Sequence, residues 1–331
     1  MRDGVSASRV AVSAGPWAHL LQFLRARLPA VADEWPARLA AGEVLDDAGQ
    51  PVGADDVCVS NAVLWYWRAL PPEPRVPFEV TVLHHDTDLV VVDKPHFLPV
   101  TPGGRYLQET VLVRLKRQLG IDTLVPVHRL DRETAGLLMF TVRPEVRHAY
   151  HALLRDRQVH KGYEAVAPWR ADLALPLLFS SRIEEPAGRD FMQMQTLQGD
   201  ANAQTTVALI RRLDARSAPD LPLASPEPLA HYRLTPHTGR KHQLRVHMNA
   251  LGLPILGDRI YPRLWPEPPL DALPDYTQPL QLLARTLSFT DPISGRPRHF
   301  ESLLQLDAVR CSDADGALNP EFFGSPLRKL P

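Results

Sequence analysis

The chain has 331 residues, with 37 Lys and Arg against 38 Asp and Glu and a formal net charge of −1. That length holds two domains of ordinary size, or one large domain with an appendage, and the charge balance gives the molecule as a whole no nucleic-acid signature. Two cysteines far apart in sequence, Cys58 and Cys311, exclude a disulfide framework and a cysteine metal site, and no stretch approaches the ~20 apolar residues of a membrane span. The opening MRDGVSASRVAVSAGPW lacks a sustained apolar run, so a cytoplasmic protein without membrane contact is expected.

In WAHLLQFLRARLP (17–29), Leu20, Leu21, Phe23, Leu24 and Leu28 recur at near-helical spacing, and Pro29 ends the run. WPARLAAGEVLDDAGQPV then reads as a helix breaking at Gly42, a strand from Glu43 to Leu45, a turn at Asp47 to Gly49 and a second short strand. Over residues 31–60, Asp33, Glu34, Glu43, Asp46, Asp47, Asp55 and Asp56 face only Arg38, so the N-terminal part is not expected to grip a polyanion. The Pro-rich segment from Leu70 to Val80 reads as an extended linker. The expected organisation is a small N-terminal module over 1–70, a linker over 71–79, a main domain over 80–310 and a tail over 311–331.

Beyond the linker, Val80 to Leu83 and Leu89 to Val92 read as strands around the turn His85 to Asp88. Leu107 to Leu119 reads as a helix closing at Gly120, Gly136 to Val142 as a buried strand, Pro144 to about Arg157 as a helix, and Tyr163 to Val166 as a strand. Arg143, Arg147, Arg155, Arg157 and Lys161 stand among three histidines with only Glu145 and Asp156 opposing them, a basic face suited to phosphates or merely the wet side of a helix. Ala215 to Pro228 and Arg263 to Pro279 read as long loops. For Thr238 to Gly252 the boundary signals predict a helix, with Thr238 as N-cap and Gly252 with Pro254 at its end. Its first turn would offer free N–H groups and Arg240 to an anion.

The stretch HRLDRETAGLL, His128 to Leu138, carries the chemistry. Asp131 lies between Arg129 and Arg132, and a nearby cation keeps a carboxylate ionised. An ionised carboxylate can attack an electrophilic carbon or stabilise a sugar cation. The alternative is a turn or N-cap aspartate, since Thr134 and Gly136 mark a bend.

VVVDKPHFLPVTPG (90–103), HRLD, KGYEAVAP (161–168) and PHTGRKHQLRVHMNALGLPILGDRIYP (236–262) occur in this order. Together they resemble the RluA family of pseudouridine synthases, over about residues 78 to 295. The resemblance implies an α+β fold, a mixed and mainly antiparallel sheet flanked by helices, and the N-terminal part faintly resembles the small S4 module of some members. It implies isomerisation of a uridine in ribosomal or transfer RNA with no cofactor and no metal, on a structured RNA loop, by a monomer. Asp131 takes the aspartate role, Tyr163 stacks on the target base and handles a proton, and Arg245 holds the aspartate through its planar fork. His128, Arg129, Arg132 and Thr134 are assigned to the flipped nucleotide, and Arg240, Lys241, His242 and Gln243 to phosphate or base. Lys94 is assigned to support of the neighbouring loop. The chain departs from the family pattern at Ala135, Leu283 and Asp291, the last two on a strand expected to line the RNA side. Rival readings are a non-catalytic RNA-binding protein of the same fold and an Asp-dependent glycoside or base hydrolase, which would want a second carboxylate. A metal hydrolase is weaker, because His84-His85-Asp86 and His242 with His247 lack ligand spacing.

Overall fold

The computed structural model describes residues 5, 7–67, 73–104, 106–186, 193–213, 228–266, 269, 272 and 274–310. The expected tail over 311–331 and nearly all of the expected loop over 215–228 lie outside them. Elements in chain order are β1 (Ser8–Ala11), α1 (Leu20–Arg27), α2 (Trp35–Ala40), β2 (Val44–Leu45), β3 (Val63–Tyr66), β4 (Thr81–His85), β5 (Leu89–Lys94), α3 (Val111–Leu119), β6 (Val125–Pro126) and β7 (Ala135–Thr141). There follow α4 (Arg147–Arg155), β8 (His160–Pro168), β9 (Leu177–Glu184), β10 (Gln195–Leu197), β11 (Ala203–Leu213), β12 (Leu229–Pro236), α5 (Gln243–Ala250), β13 (Leu282–Thr290) and β14 (Pro297–Glu301). Among the described residues no helix is long and apolar enough to cross a membrane.

The chain forms two compact units, residues 1–73 with 101–122, and residues 74–100 with 123–331. In the first, β3 sits between β1 and β2 in a three-stranded antiparallel sheet. Helices α1 and α2 bury Phe23, Leu24, Trp35 and Leu39 beside Leu64 and Tyr66, the apolar spacing read from the sequence. The expected second hairpin strand is only a bridge from Leu45 to Pro51; β2 pairs instead with β3, and β1 lies in a segment with no sustained apolar pattern.

Helix α3 also belongs to the first unit, and it begins one turn later than the apolar spacing suggests. The Glu73 carboxylate accepts the N–H groups of Leu107, Gln108 and Glu109 at 2.9 Å or slightly more, fixing them as a turn. Thr110 then caps the helix by accepting from the Val113 N–H at 3.3 Å, and Gly120 closes it in the left-handed conformation at φ 68°.

In the second unit the main sheet runs β10-β9-β11-β12-β8-β13-β7-β5-β4, with β14 on β13 and β6 on β7. Its pairs are antiparallel except β13 with β7, where Leu283 lies opposite Ala135 and Ala284 opposite Gly136. This crossing needs glycine: Gly136 has φ 107°, and a Cβ there would stand 2.3 Å from the Ala284 carbonyl oxygen. Helix α4 buries Tyr150 and Leu153 against β5, β7 and β13. Helix α5 buries Leu244 and Met248 against β8, β11 and β12, each such side chain stabilising by roughly 1.5–3 kcal/mol. This is the mixed, mainly antiparallel sheet with helices that the sequence implied.

Two expectations about the sheet are corrected. Leu283 is buried in the core rather than lining a surface. Asp291 is also buried; its carboxylate accepts from Tyr150 Oη at 3.0 Å, from Arg298 Nε at 3.2 Å, and from the Ile293 and Ser294 N–H groups, so it ties down a turn.

Candidate active site

Three chain segments meet around Asp131. The first is its own turn ahead of β7, where Thr134 N–H donates to the Asp131 carbonyl at 3.1 Å. Lys94, at the end of the neighbouring β5, is fully buried and donates to three carbonyls, Pro95 and Leu98 at 2.8 Å and Arg132 at 2.9 Å. Burial pushes its ammonium down to about 7, opposed by the charges of Glu133 and Asp131. His96 adds a bond at 2.7 Å to the Glu133 carbonyl. The turn that carries Asp131 is thus held at two successive carbonyls, by the last residue of β5 and by the loop just after it. Lys94→Met would leave two buried acceptors and one part-buried acceptor unsatisfied at about 1–3 kcal/mol each, not fully additive; the expected loss is about 2–4 kcal/mol in chemical denaturation, with turnover falling as the turn loosens.

The second segment is α5. Arg245 is buried and points Nη1 at Asp131 Oδ2, 3.1 Å away. Its fork, however, belongs to Asp258: Nε to Oδ2 at 2.8 Å and Nη2 to Oδ1 at 2.6 Å. The bidentate grip expected for Asp131 is therefore a single bond, and the two-point contact goes to a carboxylate not singled out from the sequence. Asp258 is itself fixed by the N–H groups of Ile260 and Tyr261, at 2.8 and 3.0 Å. Burial alone would lower the Arg245 pKa; the bonds and charge of Asp258, then those of Asp131, raise it above arginine's ordinary value. Asp131 keeps 31% of its side-chain surface exposed, against 2% for Arg245 and 0% for Asp258. One carboxylate is fully committed, and the other is open on one side.

The helix starts later than predicted. It begins at Gln243, after His242 in the left-handed conformation at φ 55°. Thr238 does not cap it: its Oγ accepts from Gln204 N–H at 2.9 Å and donates to Gln243 Oε1 at 2.7 Å. Gln243 is buried, bonded to Arg240 N–H, the Gln204 carbonyl and Thr205 Oγ, which removes it from RNA contact. Arg240 remains exposed in the turn before the helix, with Nε 3.3 Å from the Asn202 carbonyl, and Lys241 pairs with Glu185 at 2.9 Å. His242 Nε2 lies 3.7 Å from Asp131 Oδ1, and its Nδ1 lies 3.2 Å from Tyr261 Oη. Burial lowers its pKa, which favours the neutral ring.

The third segment is β8. Tyr163 lies opposite Ala284, which in turn lies opposite Gly136, so the tyrosine is brought by register to the strand beside the Asp131 turn. Burial, then the charge of Asp131, pushes its phenol well above the ordinary value, so the hydroxyl keeps its proton. Of the other expected residues, Arg129 is exposed, and Arg132 is 41% exposed with its guanidinium on Glu133. Thr134 is buried, a second correction to the RNA-contacting set. His128 accepts the Met139 N–H on Nε2 at 3.3 Å and is held neutral by burial, then by Lys161; its ring serves the backbone.

An aspartate turn feeding a parallel strand pair, a buried arginine behind it and a tyrosine on the adjoining strand make up the candidate site. A family model for RNA pseudouridylate synthase matches residues 88–250. An RNA pseudouridine synthase of Synechocystis, slr1592, is 33% identical over 228 residues, 69% of this chain and 73% of that protein. The dual-specificity RNA pseudouridine synthase RluA of Pasteurella multocida is 30% identical over 222 residues, 67% of this chain and 91% of its own. The structure of human RNA pseudouridylate synthase domain containing 1 overlays with a TM-score of 0.52 at 20% identity, covering 74% of this chain and 98% of that one, a likeness of fold. The chain belongs to the RluA family of RNA pseudouridine synthases.

Proposed function

We propose that this chain isomerises one uridine in a loop of ribosomal or transfer RNA, with Asp131 as the reacting carboxylate. The observation that carries this is the contrast between Asp258, wholly used in holding Arg245, and Asp131, held by one bond and open to solvent. The reaction breaks N1–C1′, forms C5–C1′, and moves a proton from C5 to N1 through solvent or a side chain. Atoms and oxidation state are conserved, so the proposed chemistry needs no cofactor. Asp131 stabilises or bonds the carbon left electron-poor when uracil departs. Tyr163 offers a ring to hold the turned base and a protonated hydroxyl beside it. Arg129 and Arg132 stand at the rim for a nucleotide extruded at a few kcal/mol, least where RNA is already looped.

The hydrolase reading wants a second free carboxylate near Asp131, but Glu133 is paired with Arg132 and Asp258 with Arg245. Chemical mapping of pseudouridine in RNA from cells with and without the gene tests the proposal. One or a few positions should lose the modification, in a loop; unchanged maps in every RNA class would remove it. Arg240, in the turn ahead of α5, is proposed to meet a phosphate without help from a helix end. Arg240→Ala should weaken binding and make the logarithm of affinity about one unit less steep in the logarithm of salt, read by titration at several salt concentrations.

A further inference from the structure

A cavity of about 310 Å³ lies in the second unit, with Pro254, Asp258, Arg259, Pro262, Trp265 and Gln278 among the residues that line it. That volume is at the small end of the range that holds a ligand. Asp131 and Tyr163 are not among the described residues of its wall, so it is not the reaction site itself. Asp258 joins the two places. Arg245 gives Nε and Nη2 to Asp258 and Nη1 to Asp131, so the wall of the cavity begins one guanidinium away from the carboxylate proposed to react. The charge of Asp258 is spent on Arg245 and on the N–H groups of Ile260 and Tyr261, which leaves little to repel an electron-rich ligand.

The wall is locked in place. Gly257 has φ 78°, and a Cβ there would stand 2.4 Å from the carbonyl oxygen of Pro279, the residue after Gln278. The Trp265 N–H donates to the Arg259 carbonyl at 2.9 Å, which fixes the indole beside the guanidinium-bearing wall. Trp265 is 50% exposed, and its ring has no aromatic or cationic partner among the described residues. Arg259 donates from Nη2 to Asp275 at 3.2 Å, while its buried Nε has no acceptor, so the side chain is one bond short beside an open volume. Exposed Arg263 stands in the chain between Pro262 and Trp265, and the Gln278 carboxamide can both donate and accept. A flat ring with a wet face, in-plane hydrogen-bonding groups and two cations are what an unpaired nucleotide uses: its base stacks and its phosphates meet the charges. An apolar side chain of a protein partner would use only the first of these.

We propose that this cavity takes one unpaired base flanking the target uridine, stacked on Trp265 and with its phosphate toward Arg259 and Arg263. Extruding the uridine deprives its neighbour of a stacking partner, and Trp265 replaces it. The proposal rests on RNA isomerisation as the activity, so the test begins with the full chain and total RNA from cells lacking the gene. Absence of pseudouridine would overturn the activity and the cavity's role together. With product formed, Trp265→Leu, which keeps an apolar side chain but removes the ring, should raise the half-saturating RNA concentration about tenfold while the saturated rate and melting temperature stay near those of the parent. Trp265→Phe, which keeps a smaller ring, should raise it about threefold or less. The same RNA should also quench the share of tryptophan fluorescence that Trp265→Phe removes. An unchanged half-saturation in Trp265→Leu, or a share of fluorescence that RNA leaves unquenched, overturns the cavity's role alone. Equal impairment of the Leu and Phe variants, or a deficit that follows a lowered melting temperature, does the same, since each marks packing instead of stacking.

Discussion

Asp131→Asn is expected to lower single-turnover formation of pseudouridine by about a hundred- to a thousandfold, the scale on which removing a single charge-stabilising group acts, while the melting temperature stays within a few degrees. The two halves of this expectation have separate causes. Asn preserves the shape and still faces Arg245 Nη1, but it lacks the negative charge that meets the electron-poor sugar carbon. Stability is spared because the side chain is 31% exposed and makes one ion-pair bond, an arrangement worth about 1 kcal/mol or less. Arg245 keeps its two bonds to Asp258 throughout. Near-normal turnover in a folded variant would end the assignment of Asp131.

The opposite pattern is expected at Asp258. Its side chain is fully buried, accepts two bonds from Arg245 and two from backbone N–H groups, and is the main partner of a buried cation. Removing one partner of such a pair costs about 3–5 kcal/mol. Asp258→Ala should therefore lose that much in chemical denaturation, and lose turnover as well, because Arg245 would turn toward Asp131 and occupy the carboxylate that must react. Arg245→Lys keeps the charge but cannot serve both carboxylates, since it lacks the planar fork. It should reduce the single-turnover rate more than RNA affinity. If Asp258→Ala were stable to within about 1 kcal/mol, the pairing of Arg245 with Asp258 would be an incidental contact.

Most of the strand and helix pattern was legible in the sequence because it rests on local apolar spacing, as at Leu20 to Arg27, at Ala135 to Thr141 and around the Asp86 turn, whose carboxylate accepts from Asp88 and Leu89 N–H. The errors came where a distant side chain replaces a local signal. Glu73 holds back the start of α3, and Gln204 takes the hydroxyl of Thr238 that would have capped α5. The candidate site was legible for Asp131, Tyr163 and Arg245 through motif order. Asp258 was missed although GDRIYP was already part of the motif, because a lone Asp after Gly reads as a turn residue until its partner is known. Gln243 and Thr134 looked like nucleotide ligands for the reverse reason: their polarity is spent inside the protein.

The position of β13 has a consequence for the order in which this protein can fold. It lies between β7 and β8, which do not pair with each other. Before it docks, the second unit is two open half-sheets, one with β4, β5, β7 and the Asp131 turn, the other with β8 to β12, Tyr163 and the α5 arginine. A growing chain on the ribosome thus carries the carboxylate and its partners on separate pieces, with two bare strand edges, until residues 282–290 emerge. The last long strand among the described residues closes the sheet and assembles the candidate active site in one event, so a chain stalled before Leu282 should hold much of the secondary structure and none of the chemistry.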